Sequence, residues 1–253
     1  MTKKFLIRWQ AIWLLPLALL ISCKPHFELV KAKRKQYNVS DQVQADSAII
    51  KTYLPYKQKM EAEMNAVIGK ADSMLSKGKG PESLLSNFFA DACLIEAKKI
   101  DANIDFTMPS TTGGLRNSLP KGNITLANVF ELMPFENELL VLKLKGTDVQ
   151  DLLQFIAQSG GQPVAGITLK INNKTATDVK INGQAFDASK TYSVLTSDYI
   201  AGGGDDTFGL QHPIEKKTLG LKVRDALINY IKTQTAEGKS ITTTLDGRIT
   251  KNE

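Results

Sequence analysis

The chain has 253 residues with an ordinary globular composition, and its 42% hydrophobic content is enough for a real core. The formal net charge of +6 is concentrated in residues 1–35, which leaves the other 218 residues with a formal charge of −1. A nearly neutral folded part argues against a nucleic-acid partner.

The first segment has the features of a bacterial lipoprotein signal peptide. Basic residues precede an apolar run over residues 11–21, which is shorter than a membrane-spanning helix requires and is closely followed by polar sequence. The run ends in Leu20-Ile21-Ser22-Cys23, which resembles the lipobox, whose cysteine is diacylated and becomes the mature N-terminus. We therefore predict a signal peptide over residues 1–22, lipidation of Cys23 and an exported protein anchored to the cell envelope, at the outer membrane or periplasm. The alternative is an ordinary signal peptide with an incidental cysteine.

The lipidation site is followed by a polar, basic segment over residues 23–45, predicted to be a tether. The tether either lies on anionic lipid head groups or is a solvated linker. One domain over residues 46–253 is predicted to follow. It opens with helical spacing over residues 46–65, where Pro55 either starts a second helix or kinks a single one.

The rest of the chain alternates between helical and extended patterns. The helix that opens at residues 81–83 has the strongest apolar face and contains Cys93, which is predicted to be a small core residue. The other predicted helices cover residues 125–132, capped by Thr125, 149–158 and 219–232, and the predicted strands cover residues 67–75, 103–108, 135–145, 167–171, 179–181, 192–196 and 247–249. Helices and strands interleave without strict βαβ regularity, so the predicted fold class is α/β (mixed α+β) with a mixed sheet.

The most informative segment follows the strand at residues 192–196. Three consecutive glycines at positions 202–204 permit positive φ and close approach of another group, at an entropic cost. Tyr199 before them offers a flat face for a base, and Asp205 after them offers acceptors for sugar hydroxyls. This segment is interpreted either as a nucleoside pocket or as a plain glycine-rich turn with a core tyrosine and solvated aspartates.

Two further loops carry candidate binding residues. Arg116 follows Gly113 and Gly114, and Phe135 and Asn137 follow a proline. A guanidinium suits phosphate, and two aromatic rings can sandwich a base. Taken singly, Phe135 is equally explained as a core residue and Arg116 as a surface charge. The combination of three such loops favours a pocket for a nucleotide.

These loops also carry a resemblance to a known family. The matching segments, in chain order, are Glu82-Ser83-Leu84-Leu85-Ser86-Asn87-Phe88-Phe89-Ala90-Asp91-Ala92, Gly113-Gly114-Leu115-Arg116, Met133-Pro134-Phe135-Glu136-Asn137 and Tyr199-Ile200-Ala201-Gly202-Gly203-Gly204-Asp205. From about residue 47 to 249 the chain resembles the C-terminal, substrate-binding domain of the 5'-nucleotidase family, which includes periplasmic UDP-sugar hydrolases and 2',3'-cyclic-nucleotide phosphodiesterases. The resemblance implies a layered α/β/β/α domain.

The resemblance also implies roles for single residues. Phe135 and Tyr199 would sandwich the base, Asp205 would hold ribose hydroxyls, and Arg116 would contact ribose or phosphate. The chain departs from the family pattern at two positions. Thr111 stands where the family usually has asparagine, and Lys79 is the nearest basic residue where a further arginine often precedes the helix.

The resemblance further implies that the catalytic metals lie elsewhere. Enzymes of the family hydrolyse phosphoesters at a two-metal centre in a separate N-terminal domain. This chain has only His26 and His212, so no metal ligand and no catalytic residue is predicted in it. We expect the nucleotide-recognition half of a split 5'-nucleotidase acting in nucleotide catabolism, with divalent metals in a separate metallophosphoesterase chain. The alternatives are a non-catalytic nucleotide- or nucleoside-binding surface lipoprotein and a domain with a structural or interaction role.

Overall fold

The computed structural model describes residues 31–40 and 42–251. The predicted signal peptide, Cys23 and His26 lie outside the described residues, and the predicted tether stays a prediction. The chain divides into two units, residues 1–50 and 51–253. Within the first unit, the described residues before the first helix are exposed and form neither helix nor strand. Among the described helices, none is long and apolar enough to cross a membrane.

The described helices and strands, in chain order, are α1 (Ser47–Met64), β1 (Val67–Ala71), α2 (Leu84–Lys98), β2 (Phe106–Thr107), β3 (Gly122–Thr125), α3 (Leu126–Leu132), β4 (Glu138–Lys145), α4 (Gly146–Gln158), β5 (Ile167–Asn172), β6 (Thr175–Ile181), β7 (Gln184–Ala185), β8 (Thr191–Ser197), α5 (Asp198–Ala201), β9 (Glu215–Lys222), α6 (Val223–Ala236) and β10 (Ile249–Lys251). Pro55 lies inside α1, so the helical pattern at the start of the domain is a single helix.

A four-stranded sheet in the order β2-β8-β4-β9 separates two apolar cores. Successive side chains of a strand point to opposite faces of the sheet. In β4, accordingly, Leu139 and Val141 belong to the core that contains α2 and α6. Leu140 and Leu142 belong to the core that contains α4 and the sheet β10-β5-β6-β7. These layers of helices and sheets confirm the mixed α/β class.

Helix α2 is the most deeply buried of the described helices. The Ser83 hydroxyl caps it by accepting a hydrogen bond from the Ser86 amide at 3.1 Å. Cys93 on this helix is a free cysteine with 0% exposure, which confirms its prediction as a core residue. Burial raises the pKa of the Cys93 thiol, and the nearby Glu96 carboxylate adds to the rise.

The helix predicted over residues 219–232 begins later in the structure. Leu221 pairs with Leu139 of β4, and the sheet hydrogen bonds of β9 continue to Lys222. Helix α6 therefore starts at Val223. Similarly, the strand predicted from residue 135 begins at Glu138, because the residues before it form a loop at the sheet edge.

Candidate functional site

Three loops converge at one edge of the central sheet. Strands β2 and β8 run parallel, whereas β4 runs antiparallel to β8, with Leu139 opposite Ser197. The carboxyl ends of β2 and β8 and the amino end of β4 therefore lie at the same edge. The segments attached there span residues 108–116, 133–137 and 198–206, the last of which begins with the short helix α5, and they carry the predicted binding residues.

A pocket of about 220 Å³ opens between these loops. Its lining comprises Pro109, Ser110, Gly113, Gly114, Arg116, Met133, Phe135, Asn137, Ser197, Tyr199, Asp205 and Val223. All seven predicted binding residues are in this set. Phe135 is 41% exposed and Tyr199 is 50% exposed. Neither is therefore a core residue, which was the alternative interpretation of both.

The glycine-rich loop fixes the position of the Tyr199 ring. Gly203 has φ 87°, a left-handed conformation that glycine adopts without steric cost. A Cβ on Gly204 would lie only 2.5 Å from the Tyr199 ring, so the ring packs directly on the peptide backbone. The positive φ and the close approach expected from the sequence are therefore both present.

The Asp205 carboxylate joins two of the loops. Its Oδ1 accepts a hydrogen bond of 2.9 Å from the Tyr199 hydroxyl, and its Oδ2 accepts one from the Thr111 hydroxyl. The hydrogen bond to Asp205 and its negative charge raise the pKa of the Tyr199 phenol, because both favour the protonated hydroxyl. Thr111, which departs from the family pattern, is thus tied to the site.

The loop at residues 108–116 carries Arg116 at the pocket. The amide of Thr112 donates to Gln162 Oε1 at 2.8 Å, which anchors the loop to a neighbouring segment. The exposed Arg116 guanidinium donates to the Gly113 carbonyl over a long 3.4 Å contact. A guanidinium has five N–H donors, so most of its donor capacity is left for an anionic ligand.

The loop at residues 133–137 is held by Asp198 and Arg224, neither of which was predicted to belong to the site. Asn137 Nδ2 donates to Asp198 Oδ1 at 3.2 Å, which connects this loop to the glycine-rich loop. Arg224 Nη1 donates to the Phe135 carbonyl at 3.3 Å, and its guanidinium lies 4.0 Å from the centre of the Phe130 ring. A cation in the first turn of a helix opposes the helix dipole, and this signal could have identified Arg224.

Lys79 and His212 lie away from this site. Both are exposed in irregular segments, and neither lines the pocket described above. Within residues 31–40 and 42–251, no group of three or more His, Cys, Asp or Glu side chains is arranged to hold a metal ion.

Comparison with known proteins gives consistent results. The family model described as 5'-nucleotidase, C-terminal domain, matches residues 64–212. The chain is 27% identical over 190 residues to Protein UshA of Yersinia enterocolitica, covering 73% of this chain and 34% of that protein. It is 28% identical over 218 residues to Cell wall protein Lmo0130 of Listeria monocytogenes, covering 76% of this chain and 28% of that protein.

A solved structure matches at a similar level of identity. The 5'-nucleotidase precursor from Thermus thermophilus is 27% identical, with a TM-score of 0.69, over 79% of this chain and 42% of that chain. The present chain therefore spans about a third of the length of the curated relatives above and less than half of this solved structure.

Proposed function

Because the chain belongs to the 5'-nucleotidase C-terminal domain family, we propose that its pocket binds a nucleotide or nucleoside for a 5'-nucleotidase-type phosphoester hydrolase. The observation that supports this most strongly is the convergence of three separate loops on one pocket. They bring together two half-exposed aromatic rings, a guanidinium and a carboxylate, which match the base, phosphate and sugar of a nucleotide.

Each group has a role that its chemistry supports. The Phe135 and Tyr199 rings offer faces for a base, and stacking of one base on an aromatic ring is worth about 1–3 kcal/mol. The Asp205 carboxylate accepts from sugar hydroxyls. The Arg116 guanidinium, which among the described residues makes one long contact to the Gly113 carbonyl, donates to ribose or phosphate.

In this proposal the reaction takes place at metals that a separate metallophosphoesterase chain supplies. The support is that the 253 residues contain only His26 and His212, too few for a histidine-rich two-metal centre. The binding energy of the base and sugar would then orient the phosphoester towards the metals of the partner, and such positioning accounts for a large part of many enzymatic rate enhancements.

The first test is calorimetric titration of the full chain, solubilised in a mild detergent, with adenosine and its monophosphate. Tyr199→Ala removes one wall of the pocket and is expected to weaken binding by about tenfold or more. Tyr56→Ala is the matched control, because Tyr56 is 76% exposed on α1 and does not line the pocket. Equal loss in both variants, or no binding by the wild type, would contradict the proposed pocket.

The second test addresses the partner. Phosphate release from nucleoside monophosphates is measured with a metallophosphoesterase of the same organism, with and without this chain. We expect release to require both chains, and to fall when Tyr199→Ala replaces the wild type. Binding without any gain in rate would instead assign the chain to the non-catalytic nucleotide-binding lipoproteins.

The location in the cell envelope is a further part of the proposal. A relative named as a cell wall protein is consistent with export, and the segment that ends at Cys23 supports a lipid anchor. Cys23→Ser is expected to move the protein from the membrane fraction to the soluble fraction. Unchanged fractionation of this variant would argue against lipidation.

A further inference from the structure

The Asp205 carboxylate is held from two sides by hydroxyl groups of two different loops. The Tyr199 hydroxyl donates to Oδ1 at 2.9 Å, and the Thr111 hydroxyl donates to Oδ2. The two donors differ in their burial. Tyr199 is 50% exposed, whereas Thr111 is only 4% exposed, so Thr111 is the more firmly placed of the two.

The backbone around Asp205 needs such a constraint. Asp205 and Asp206 have φ 55° and 57°, and two consecutive non-glycine residues in the left-handed region cost roughly 1 kcal/mol or more each. The Thr207 hydroxyl, which donates to the Gly204 carbonyl at 2.8 Å, stabilises the carboxyl side of this turn. The Thr111 hydrogen bond connects the turn to the loop across the pocket.

The two hydroxyls also determine how many acceptor positions of the Asp205 carboxylate stay open to a ligand. An ionised carboxylate has about four acceptor positions, and two of them are occupied here. Within residues 31–40 and 42–251 no other side chain donates to Asp205, so about two positions remain, which is the number that a vicinal diol requires. Because Oδ1 and Oδ2 each accept from one protein donor, the Asp205 carboxylate, which lines the pocket, is held in one orientation there.

We propose that Thr111 is a positioning residue that orients the Asp205 carboxylate and thereby makes the pocket selective for ligands with a vicinal ribose diol. This inference rests on the proposed nucleotide-binding function and adds a determinant of selectivity to it. Thr111 itself lies outside the pocket lining, so it acts through Asp205 rather than by touching the ligand.

The experiment compares Thr111→Val with Thr111→Ser in the full chain. Valine keeps the shape of threonine but loses the hydroxyl, and serine restores the hydroxyl. Dissociation constants are measured for adenosine and for 2',3'-dideoxyadenosine, which lacks both ribose hydroxyls. Thr168→Val, on the exposed side of β5, is the control for the same substitution elsewhere.

We expect Thr111→Val to weaken adenosine binding by about tenfold, since the lost hydrogen bond has a charged acceptor. Binding of the dideoxynucleoside should change by less than about twofold, because that ligand makes no use of the carboxylate. Thr111→Ser should restore the preference for adenosine. Equal weakening of both ligands would show a merely structural role and overturn the proposal, as would unchanged binding of adenosine.

A ligand-free measurement separates this inference from the proposed function. Amides in the segment 202–207 are hydrogen bonded within the turn, for example Thr207 N to the Gly204 carbonyl. Hydrogen exchange of this segment should be several-fold faster in Thr111→Val than in the wild type or Thr111→Ser. Unchanged exchange would refute the positioning role. Faster exchange in a chain that binds no nucleoside would retain the positioning role and reject the selectivity together with the proposed function.

Discussion

Replacing Gly204 with alanine tests whether the ring of Tyr199 must lie where the glycine-rich loop places it. The new Cβ would lie 2.5–2.6 Å from three atoms of the Tyr199 ring, whereas ordinary contacts begin near 3.4 Å. The ring therefore has to move by about 1 Å. The backbone of Gly204 is not in the left-handed region, so the effect is one of contact alone.

The expected loss of adenosine affinity follows from the base stacking that the displaced Tyr199 ring no longer provides. Base stacking is worth about 1–3 kcal/mol, so losing most of it weakens adenosine binding by about tenfold to a hundredfold. The hydrogen bond from Tyr199 to Asp205 is lost as well. Because the ring is half exposed, it can rotate outwards, and the free energy of unfolding should change by less than about 1 kcal/mol.

Calorimetry with adenosine measures the binding, and thermal unfolding measures the stability. Gly202→Ala is the matched control within the same loop, because its Cβ would have no neighbour closer than 3.4 Å. We expect this control to bind like the wild type. If Gly204→Ala also bound like the wild type, the close packing of the ring on the loop would not contribute to the site.

Two further predictions concern stability and protonation. Gly161→Ala should lower the free energy of unfolding by more than about 3 kcal/mol, because φ is 115° and the new Cβ would lie 2.0 Å from the Pro81 carbonyl oxygen. Gly160→Ala is the control, because Gly160 has φ 79° and its Cβ would lie in open space, so the cost should be about 1 kcal/mol. Urea unfolding measures both variants. Similar losses in both would contradict the contact. The Lys222 ammonium is the main cause that lowers the pKa of Glu136 from 4.5 to about 2, so this ion pair contributes stability above pH 4.5 and loses it as the pH falls towards 2. Lys222→Met should raise the Glu136 pKa in an NMR titration, and an unchanged value would refute the pairing.

The elements with strong local signals were predictable from the sequence. Thr125 caps α3 through a reciprocal pair of hydrogen bonds with Asn128, as its position before the apolar run indicates. Strand β8 and helix α2 are also at their predicted positions, because each carries the apolar pattern of a buried element. Strand β9 was missed, because it is an edge strand with a largely exposed, lysine-rich sequence and no alternation.

Seven of the twelve residues that line the pocket were predicted from the sequence, whereas the residues that hold its loops in place were not. Tyr199 and Asp205 stand in one loop, so their association can be read locally. Thr111 lies 94 residues from Asp205 along the chain, and Arg224 lies 89 residues from Phe135. Such pairs depend on how the sheet brings its loops together, which no local pattern encodes.

The reactivity of the buried Cys93 thiol provides a direct measure of unfolding. Its thiol has 0% exposure and a raised pKa, so an alkylating reagent cannot react with it while α2 stays packed. The sequence contains one other cysteine, Cys23, so a Cys23→Ser background leaves a single thiol to follow. The rate of alkylation then measures how often the core around α2 opens, without any added probe. Comparing that rate with and without adenosine would show whether a ligand at the sheet edge protects a helix in the core.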